Sequence, residues 1–287
     1  MSVHAIALYG REGVGTSTTA ANISAALAEA GFRVLQVGVG PGYDSTGMLR
    51  GGKKAQTLFD ALRHGASGLV ERTVVSGFKG VLSLEAGLPV SDAGSSGHSL
   101  GHLLEILQGG HFLAEVSPDI VIYDISGEAV YGAIVDTLLG GLVEGVYAVS
   151  SADSVSIFAV NGFFRLYGRH AAAGTRFGGI VGNGLTAPFA EELMADFAGK
   201  TGTGIIGSVP RSLVVLQSAL YGQTVIEASP LSHHAYYYRR LARHMVENDS
   251  FFRPNPLAPE EMEHWTRGWG DMIRELDSGI VGEGAGI

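Results

Sequence analysis

The stretch GREGVGTSTT, residues 10–19, follows a short apolar run, VHAIALY at residues 3–9. Its glycines, its small hydroxyl residues and the alanine-rich stretch after it are typical of a phosphate-binding loop. In such a loop, backbone N–H groups at the positive end of a helix face an anion. Thr16 stands where the common version of this loop has lysine. The sequence therefore predicts the backbone of a nucleotide site in which the positively charged lysine side chain is missing.

Apolar runs of strand length recur outward from this loop. They are apolar nearly throughout rather than alternating, which is typical of strands covered on both faces. Stretches of helical character lie between them, at 17–31, 101–110, 154–170 and 187–202. The alternation predicts an α/β fold with a mostly parallel sheet and helices on both faces. The predicted strands are 5–9, 34–39, 80–86, 119–125, 145–151, 178–183 and 204–210.

The C-terminal quarter has a different character. Residues 229–248 predict a helix rich in aromatic residues and arginine, and 253–276 predict a proline-marked turn followed by a second helix. No internal repeat is evident in the sequence. We therefore expect one domain over residues 1–287, with 228–287 as a helical C-terminal extension and tail.

Composition excludes several classes of function. Hydrophobic residues make up 46% of the 287 residues and charged residues 16%, as in a chain with a large buried core. The net charge of −9 and the absence of a basic run argue against a nucleic-acid partner. The chain has no cysteine, which excludes disulfides, thiolate metal sites and cysteine-ligated iron–sulfur clusters. Without a signal peptide or a long apolar segment, we expect a cytoplasmic protein that does not enter the membrane.

Several ordered motifs together resemble the nitrogenase iron protein family, close to the full length of the chain. That resemblance implies a P-loop NTPase-like fold and a two-fold homodimer that binds ATP in each subunit. It also implies one four-iron cluster shared across the dimer axis, held by two cysteines from each subunit, and a larger nitrogenase-like partner. The matching segments are YGREGVGTSTTAANISAALAEAGFRVLQVG (9–38), GPGYDST (40–46), VIYDISGEAVYG (121–132), GNG (182–184), SVPRSLVVLQSALYGQTVIE (208–227) and RPNPLAPEEME (253–263).

At the phosphate loop the chain departs from the resembled family in charge. The family's loop lysine corresponds to Thr16, its cross-dimer lysine to Arg11, and the glycine after that lysine to Glu12. A charged hydrogen bond contributes about 1.5–3 kcal/mol, so we expect weakened nucleotide binding, and Glu12 adds repulsion. By the resemblance, the nucleotide-binding residues are Gly10, Arg11, Gly13, Gly15, Thr16, Ser17, Thr18, Asp44, Asp124, Asn183, Pro210 and Arg211.

The residues that correspond to the family's magnesium site match the family pattern more closely than the phosphate loop does. Ser17 and Asp124 correspond to the family's metal-side residues, and Asn183 corresponds to its adenine-reading asparagine. Gly40 replaces an acid that is a candidate for positioning the attacking water, and Glu128 replaces the second-switch aspartate. The implied ligand is ATP or ADP with magnesium, and we expect hydrolysis to be very slow or absent.

The positions of the cluster ligands hold other residues. The first cysteine position falls at Ser95, or at Gly94 if the alignment slips by one, and the second falls at Tyr131. Neither residue holds an iron–sulfur cluster in the family's manner, so we expect none. The family's docking face corresponds to Ser95, His98 and Tyr131.

Three functions follow as hypotheses. The favoured one is a cluster-free homodimer with a degenerate ATP site, a binding, regulatory or assembly subunit of a nitrogenase-like system rather than an enzyme. The second is a slow ATPase or nucleotide-dependent switch in which Arg11 replaces the lost lysine. The third is a redox protein with a cofactor at the dimer axis that cysteine does not ligate, and the absence of cysteine argues against it.

Overall fold

The computed structural model describes residues 3–39, 44–65, 67–87, 106–107, 111–126, 138–171, 174–187 and 189–278. Eight strands form one sheet in the order β3-β4-β2-β5-β1-β6-β7-β8, parallel except where β3 runs antiparallel to β4. The strands are β1 His4–Gly10, β2 Val34–Gly38, β3 Val75–Ser76, β4 Leu82–Glu85, β5 Ile120–Ser126, β6 Gly145–Ser150, β7 Arg176–Leu185 and β8 Ile205–Pro210.

Helices connect the strands and cover the sheet. The described part of the chain also has short 3-10 turns at Gly47–Leu49 and Phe78–Gly80 and a π turn at Leu138–Leu142. The helices are α1 Thr16–Glu29, α2 Leu58–Arg63, α3 Leu69–Thr73, α4 His111–Val116, α5 Ser154–His170, α6 Ala190–Lys200, α7 Leu213–Leu220, α8 Val225–Ala228, α9 His233–Glu247 and α10 Pro259–Ser278.

Two buried cores lie on opposite faces of the sheet, as β1 illustrates. Ile6 and Leu8 pack into the core that includes residues of α1 and α9. Ala7 and Tyr9 pack into the other core, in which the Tyr9 ring stacks on Phe163 of α5 with a centroid distance of 4.1 Å. Successive strand residues point to opposite faces, so β1 is apolar throughout because both of its faces are covered.

The predicted fold class is confirmed. Each predicted strand overlaps an observed one, and the helix predicted at 154–170 has those bounds. The short elements β3, α2, α3, α4, α7 and α8 were not predicted. Of the helix predicted at 101–110, the structure describes only residues 106–107, which are helical.

The two C-terminal helices cover the sheet from both sides. Tyr238 and Leu241 of α9 are buried in the core beside α1, and Met262 of α10 is buried in the opposite core. The region predicted as an extension thus supplies core residues. That the whole chain forms one domain stays a prediction. Among the described residues, no helix is both long enough and apolar enough to cross a membrane.

Candidate nucleotide site

The phosphate-binding loop lies at the middle of the sheet. β1 pairs with β5 on one side and with β6 on the other, and it ends at Gly10. The loop then reaches α1, which begins at Thr16. Gly13 and Gly15 have φ angles of 82° and 94°, a left-handed conformation that residues with a side chain rarely adopt. The central β1 therefore places the start of α1 at the carboxyl edge of the sheet, where open α/β folds bind ligands.

Close contacts explain two of the glycines. A Cβ atom on Gly10 would lie 2.1 Å from Oγ1 of Thr16 and 2.8 Å from Cγ1 of Val14. A Cβ atom on Gly15 would lie 2.3 Å from Nδ2 of Asn183. The loop is thus packed inward against its own residues and against the end of β7, and a larger residue at either glycine would displace these contacts.

The start of α1 offers unused donors. No described residue accepts a hydrogen bond from the backbone N–H groups of residues 15–18. The first N–H of the helix that has an acceptor belongs to Thr19, which donates to the carbonyl oxygen of Gly15 over 2.9 Å. The N-terminal N–H groups of a helix lack intrahelical partners, and the helix dipole is positive at this end. The loop therefore has the backbone geometry of an anion site.

Thr16 fills the space beside Gly10 instead of reaching outward. It is 2% exposed, and its hydroxyl oxygen has no hydrogen-bond partner within the described part of the chain. Its short side chain carries no charge, so it supplies neither the reach nor the ammonium group of a lysine. The structure thus shows a loop of ordinary shape whose side chain at this position turns inward.

Two charged residues lie at the outer part of the loop. Arg11 is half-buried and Nη1 donates to the carbonyl oxygen of Glu12 over 3.4 Å, while Glu12 itself is exposed. Burial opposes ionisation of Asp153, but hydrogen bonds from Ser151 and Ser156 and the charge of Arg11 hold its pKa below the usual value. Arg11 therefore places a positive charge near the loop, and this charge also favours the ionised form of Asp153.

Asp124 lies at the carboxyl end of β5, paired in register with Leu8 of β1 and Gly38 of β2. It is fully buried, and neither carboxylate oxygen has a hydrogen-bond partner among the described residues. Burial raises its pKa to about 6, and the nearby hydroxyls of Ser17 and Ser45 oppose that rise. A buried carboxylate without a partner is costly.

The residues around Asp124 fit a magnesium ion. Mg²⁺ prefers oxygen ligands, and it is commonly bound by one or two carboxylates together with substrate phosphates. The orphaned Asp124 oxygens and the Ser17 hydroxyl beside the anion site supply that donor set. Sequence reasoning named Ser17 and Asp124 but missed Ser45, although Ser45 lies inside the quoted segment GPGYDST.

A buried ion pair anchors the segment that follows Asp44. Oε1 of Glu85, at the end of β4, accepts hydrogen bonds from Thr46 N (2.8 Å) and Thr46 Oγ1 (2.6 Å). The same oxygen lies 3.2 Å from Nη2 of Arg50, and both charged side chains are 2% exposed. Sequence reasoning missed this contact because residues 46, 50 and 85 carry no local signal of pairing. Asp44 is exposed at the start of the anchored segment.

A cavity of about 520 Å³ opens beside the loop. It lies between the start of α1, the end of β7 and the start of α7, and its size is that of a small-molecule site. Asn183 is held at its wall because Nδ2 donates to the carbonyl oxygen of Val14 over 2.7 Å. The predicted residues that line it are Gly15, Thr18, Asn183, Pro210 and Arg211.

Most of the predicted nucleotide-binding residues are thus close to the loop or the cavity, and their roles remain predictions. The predicted cluster-ligand positions, the predicted docking face and two positions where the family has acids lie outside the described residues. No group of three or more potential metal-ligating side chains occurs in the part of the chain that the structure describes. The predicted positions outside that part are Gly40, Gly94, Ser95, His98, Glu128 and Tyr131.

Solved structures share this fold at low sequence identity. A ParA family ATPase from Chlorobium tepidum superposes with a TM-score of 0.67 at 16% identity, covering 85% of this chain and 99% of the other. The septum site-determining protein MinD from Pyrococcus horikoshii, solved with Mg-ADP, superposes with a TM-score of 0.63 at 18% identity, over 86% and 97% of the two chains. These similarities confirm the P-loop NTPase-like fold.

Sequence comparison gives the family. The chain is 37% identical over 281 residues to nitrogenase iron protein 2 of Paenibacillus durus, covering 98% of this chain and 96% of that protein. It is 36% identical to the nitrogenase iron protein of Methanospirillum hungatei, covering 92% and 95%. The family profile described as "4Fe-4S iron sulfur cluster binding proteins, NifH/frxC family" matches residues 4–272. The chain therefore belongs to the NifH/frxC family of nitrogenase iron proteins, although it contains no cysteine.

Proposed function

We propose that this protein is a cluster-free homodimer with a weakened nucleotide site, and that it serves as a binding, regulatory or assembly subunit for a nitrogenase-like partner. One observation carries the proposal. A chain matching the family over residues 4–272 has no cysteine anywhere in its sequence. It therefore keeps the family's frame without the side chains that ligate iron–sulfur clusters.

A second candidate function is a slow ATPase or nucleotide-dependent switch. The buried Asp124 with two unpartnered oxygens and the unused N–H groups of residues 15–18 support it. Arg11 would then supply the positive charge that Thr16 lacks. The two candidates differ in a measurable way, since a switch changes its capture of a partner when Mg-ATP replaces Mg-ADP and a simple binding subunit does not.

Iron analysis tests the absence of a cluster. We expect protein purified without oxygen to be colourless and to contain neither stoichiometric iron nor acid-labile sulfide, because no cysteine is available as a ligand. A cysteine-containing family member purified in parallel is the control for cluster loss during handling. Stoichiometric iron and sulfide in this protein would contradict the proposal.

Capture from the native host tests the partner. We expect the tagged full-length protein to bring down an untagged copy of itself and a larger nitrogenase-like protein. The proposed docking face includes Tyr131, so Tyr131→Asp should reduce recovery of the larger protein while the chain stays folded. Tyr236→Asp is the matched control, because Tyr236 lies on α9 and is 58% exposed.

Each result of this capture experiment has a defined meaning. Equal recovery of the larger protein by Tyr131→Asp and Tyr236→Asp would place the docking face elsewhere. Recovery of no nitrogenase-like protein by the unaltered chain would contradict the partner assignment. Failure to recover the untagged copy would contradict the homodimer.

A further inference from the structure

The two tryptophans of the chain converge on one carboxylate, away from the residues assigned to the nucleotide. Trp265 and Trp269 lie four residues apart on α10, which places them on one face of the helix. Both indole Nε1–H groups donate to Oδ2 of Asp196 on α6, over 2.7 and 2.9 Å. The chain has no other tryptophan. This arrangement fixes an acidic group beside two large aromatic rings.

A cavity of about 450 Å³ lies at this place, between α6 and α10. That volume lies within the range of roughly 300–1,000 Å³ found for small-molecule sites. Leu257 and Met272 give it apolar walls, and methionine adapts its shape readily to a ligand. The charged and titratable groups that face the cavity are Asp196, Lys200, Glu261 and His264.

Gly268 gives the cavity a wall without a side chain. It lies inside α10, where glycine is less favourable than alanine because it loses more backbone freedom. A Cβ atom at this position would meet no other atom within 4 Å. The residue also lines the cavity. A side chain at position 268 would therefore extend into open space beside the tryptophans.

The carboxylates at the cavity favour a positive ligand. Oδ1 of Asp196 accepts no hydrogen bond from the residues that the structure describes, and Asp196 forms no ion pair with them. Glu261 accepts a hydrogen bond from Ala258 N over 2.7 Å, so its carboxylate is held at the start of α10. Lys200 is exposed one helical turn after Asp196 and lines the same cavity, so its positive charge opposes a cationic ligand there.

We propose that this cavity binds a small organic cation with an apolar body. The cationic group would lie against the indole rings and Oδ1 of Asp196, and the apolar part against Leu257 and Met272. Tryptophan is the aromatic residue that attracts cations most strongly. The site shares no residue with the predicted nucleotide-binding set, so it does not depend on the function proposed above.

Choline and its neutral isostere 3,3-dimethyl-1-butanol test this proposal. Intrinsic tryptophan fluorescence reports on this cavity alone, because both tryptophans line it. We expect choline to change the emission of the full-length protein saturably, and the alcohol to bind about tenfold more weakly, since a cation over an aromatic ring gains on the order of one decade in affinity. Absence of a saturable change with choline, or equal binding of both probes, would overturn the proposal.

Three variants assign the effect to the cavity. Asp196→Asn keeps a carbonyl oxygen for the indole N–H groups but removes the charge, and should weaken choline binding about tenfold. Gly268→Leu should abolish binding by filling the open space. Lys200→Met should strengthen binding a few-fold by removing a like charge. If Asp196→Asn fails to fold, Gly268→Leu and Lys200→Met still test whether choline binds in this cavity. Unchanged choline affinity in both of these variants would overturn the assignment.

Discussion

Replacing Thr16 with lysine is expected to tighten binding of Mg-ATP by roughly 10- to 100-fold, since a charged hydrogen bond contributes about 1.5–3 kcal/mol. The N–H groups of residues 15–18 already face an anion site, so the variant adds a charge to a loop of the right shape. The lysine side chain must leave the space beside Gly10, where the Thr16 hydroxyl is buried. Isothermal titration with Mg-ATP measures the change.

Two control variants separate charge from shape. Thr16→Met has nearly the length of lysine without its charge, and should leave the affinity close to that of the unaltered protein. Glu12→Gln removes the exposed carboxylate next to Arg11 and measures the repulsion on its own. If Thr16→Lys and Thr16→Met bind Mg-ATP equally, or if Glu12→Gln improves affinity more than Thr16→Lys does, the missing lysine is not the main defect.

Affinity and turnover should respond differently to Thr16→Lys. Loss of one preorganised charge stabiliser commonly lowers the rate by about 10²–10³, so we expect the unaltered protein to hydrolyse ATP at least that much more slowly than a lysine-containing relative. Thr16→Lys does not restore the acid that Gly40 replaces. Its turnover should therefore stay below that of the relative even where its affinity recovers.

Replacing Asp124 with asparagine is expected to stabilise the nucleotide-free protein by about 2–3 kcal/mol at pH 8. Asp124 is fully buried, its two oxygens have no hydrogen-bond partner in the described structure, and burial raises its pKa to about 6 from an ordinary value of 3.8. Asparagine has nearly the same shape without the charge. Urea unfolding of both proteins in EDTA measures the difference in free energy of unfolding.

The pH dependence of this difference has a definite sign. Because the folded-state pKa is raised, the folded protein holds the Asp124 proton more tightly than the unfolded chain does. The cost of ionising Asp124 is therefore absent below about pH 4, grows as the pH rises to about 6, and stays constant above that value. The stabilisation by Asp124→Asn should follow the same course, and a gain that is equal at pH 4 and pH 8 would contradict its electrostatic origin.

Glu85→Gln is the matched control, since it makes the same change from acid to amide at another buried residue. Glu85 accepts hydrogen bonds from Thr46 and pairs with Arg50, so its removal leaves a buried guanidinium without its counter-charge. We expect this variant to lose about 3–5 kcal/mol of stability. Magnesium should also increase nucleotide affinity in Glu85→Gln but not in Asp124→Asn.

The sequence predicted the parts of the fold that a periodic or local signal specifies. Strands covered on both faces are apolar runs, and the glycines at 13 and 15 mark a loop that needs positive φ angles. Helices α2 and α3 were not predicted because they are only 6 and 5 residues long, which is too short to show a clear amphipathic period in the sequence.

The parts of the sites that were missed depend on contacts between distant residues. Glu85 and Arg50 meet only after β4 has paired with β2. The Asp196 contact joins two helices, although the four-residue spacing of Trp265 and Trp269 was a local signal that could have drawn attention to α10. Asn183 also contacts a residue distant in the sequence, Val14, but it was named beforehand from the local GNG segment.

The central position of β1 has a consequence for the order in which the protein is made. Its partners in the sheet are residues 120–126 and 145–150, so β1 cannot complete its pairing until about 140 further residues of the chain have been synthesised. At a synthesis rate of about 5–20 residues per second, that interval is roughly 7–30 s. The phosphate-binding loop that follows β1 therefore waits for strands synthesised much later before the sheet around it is complete.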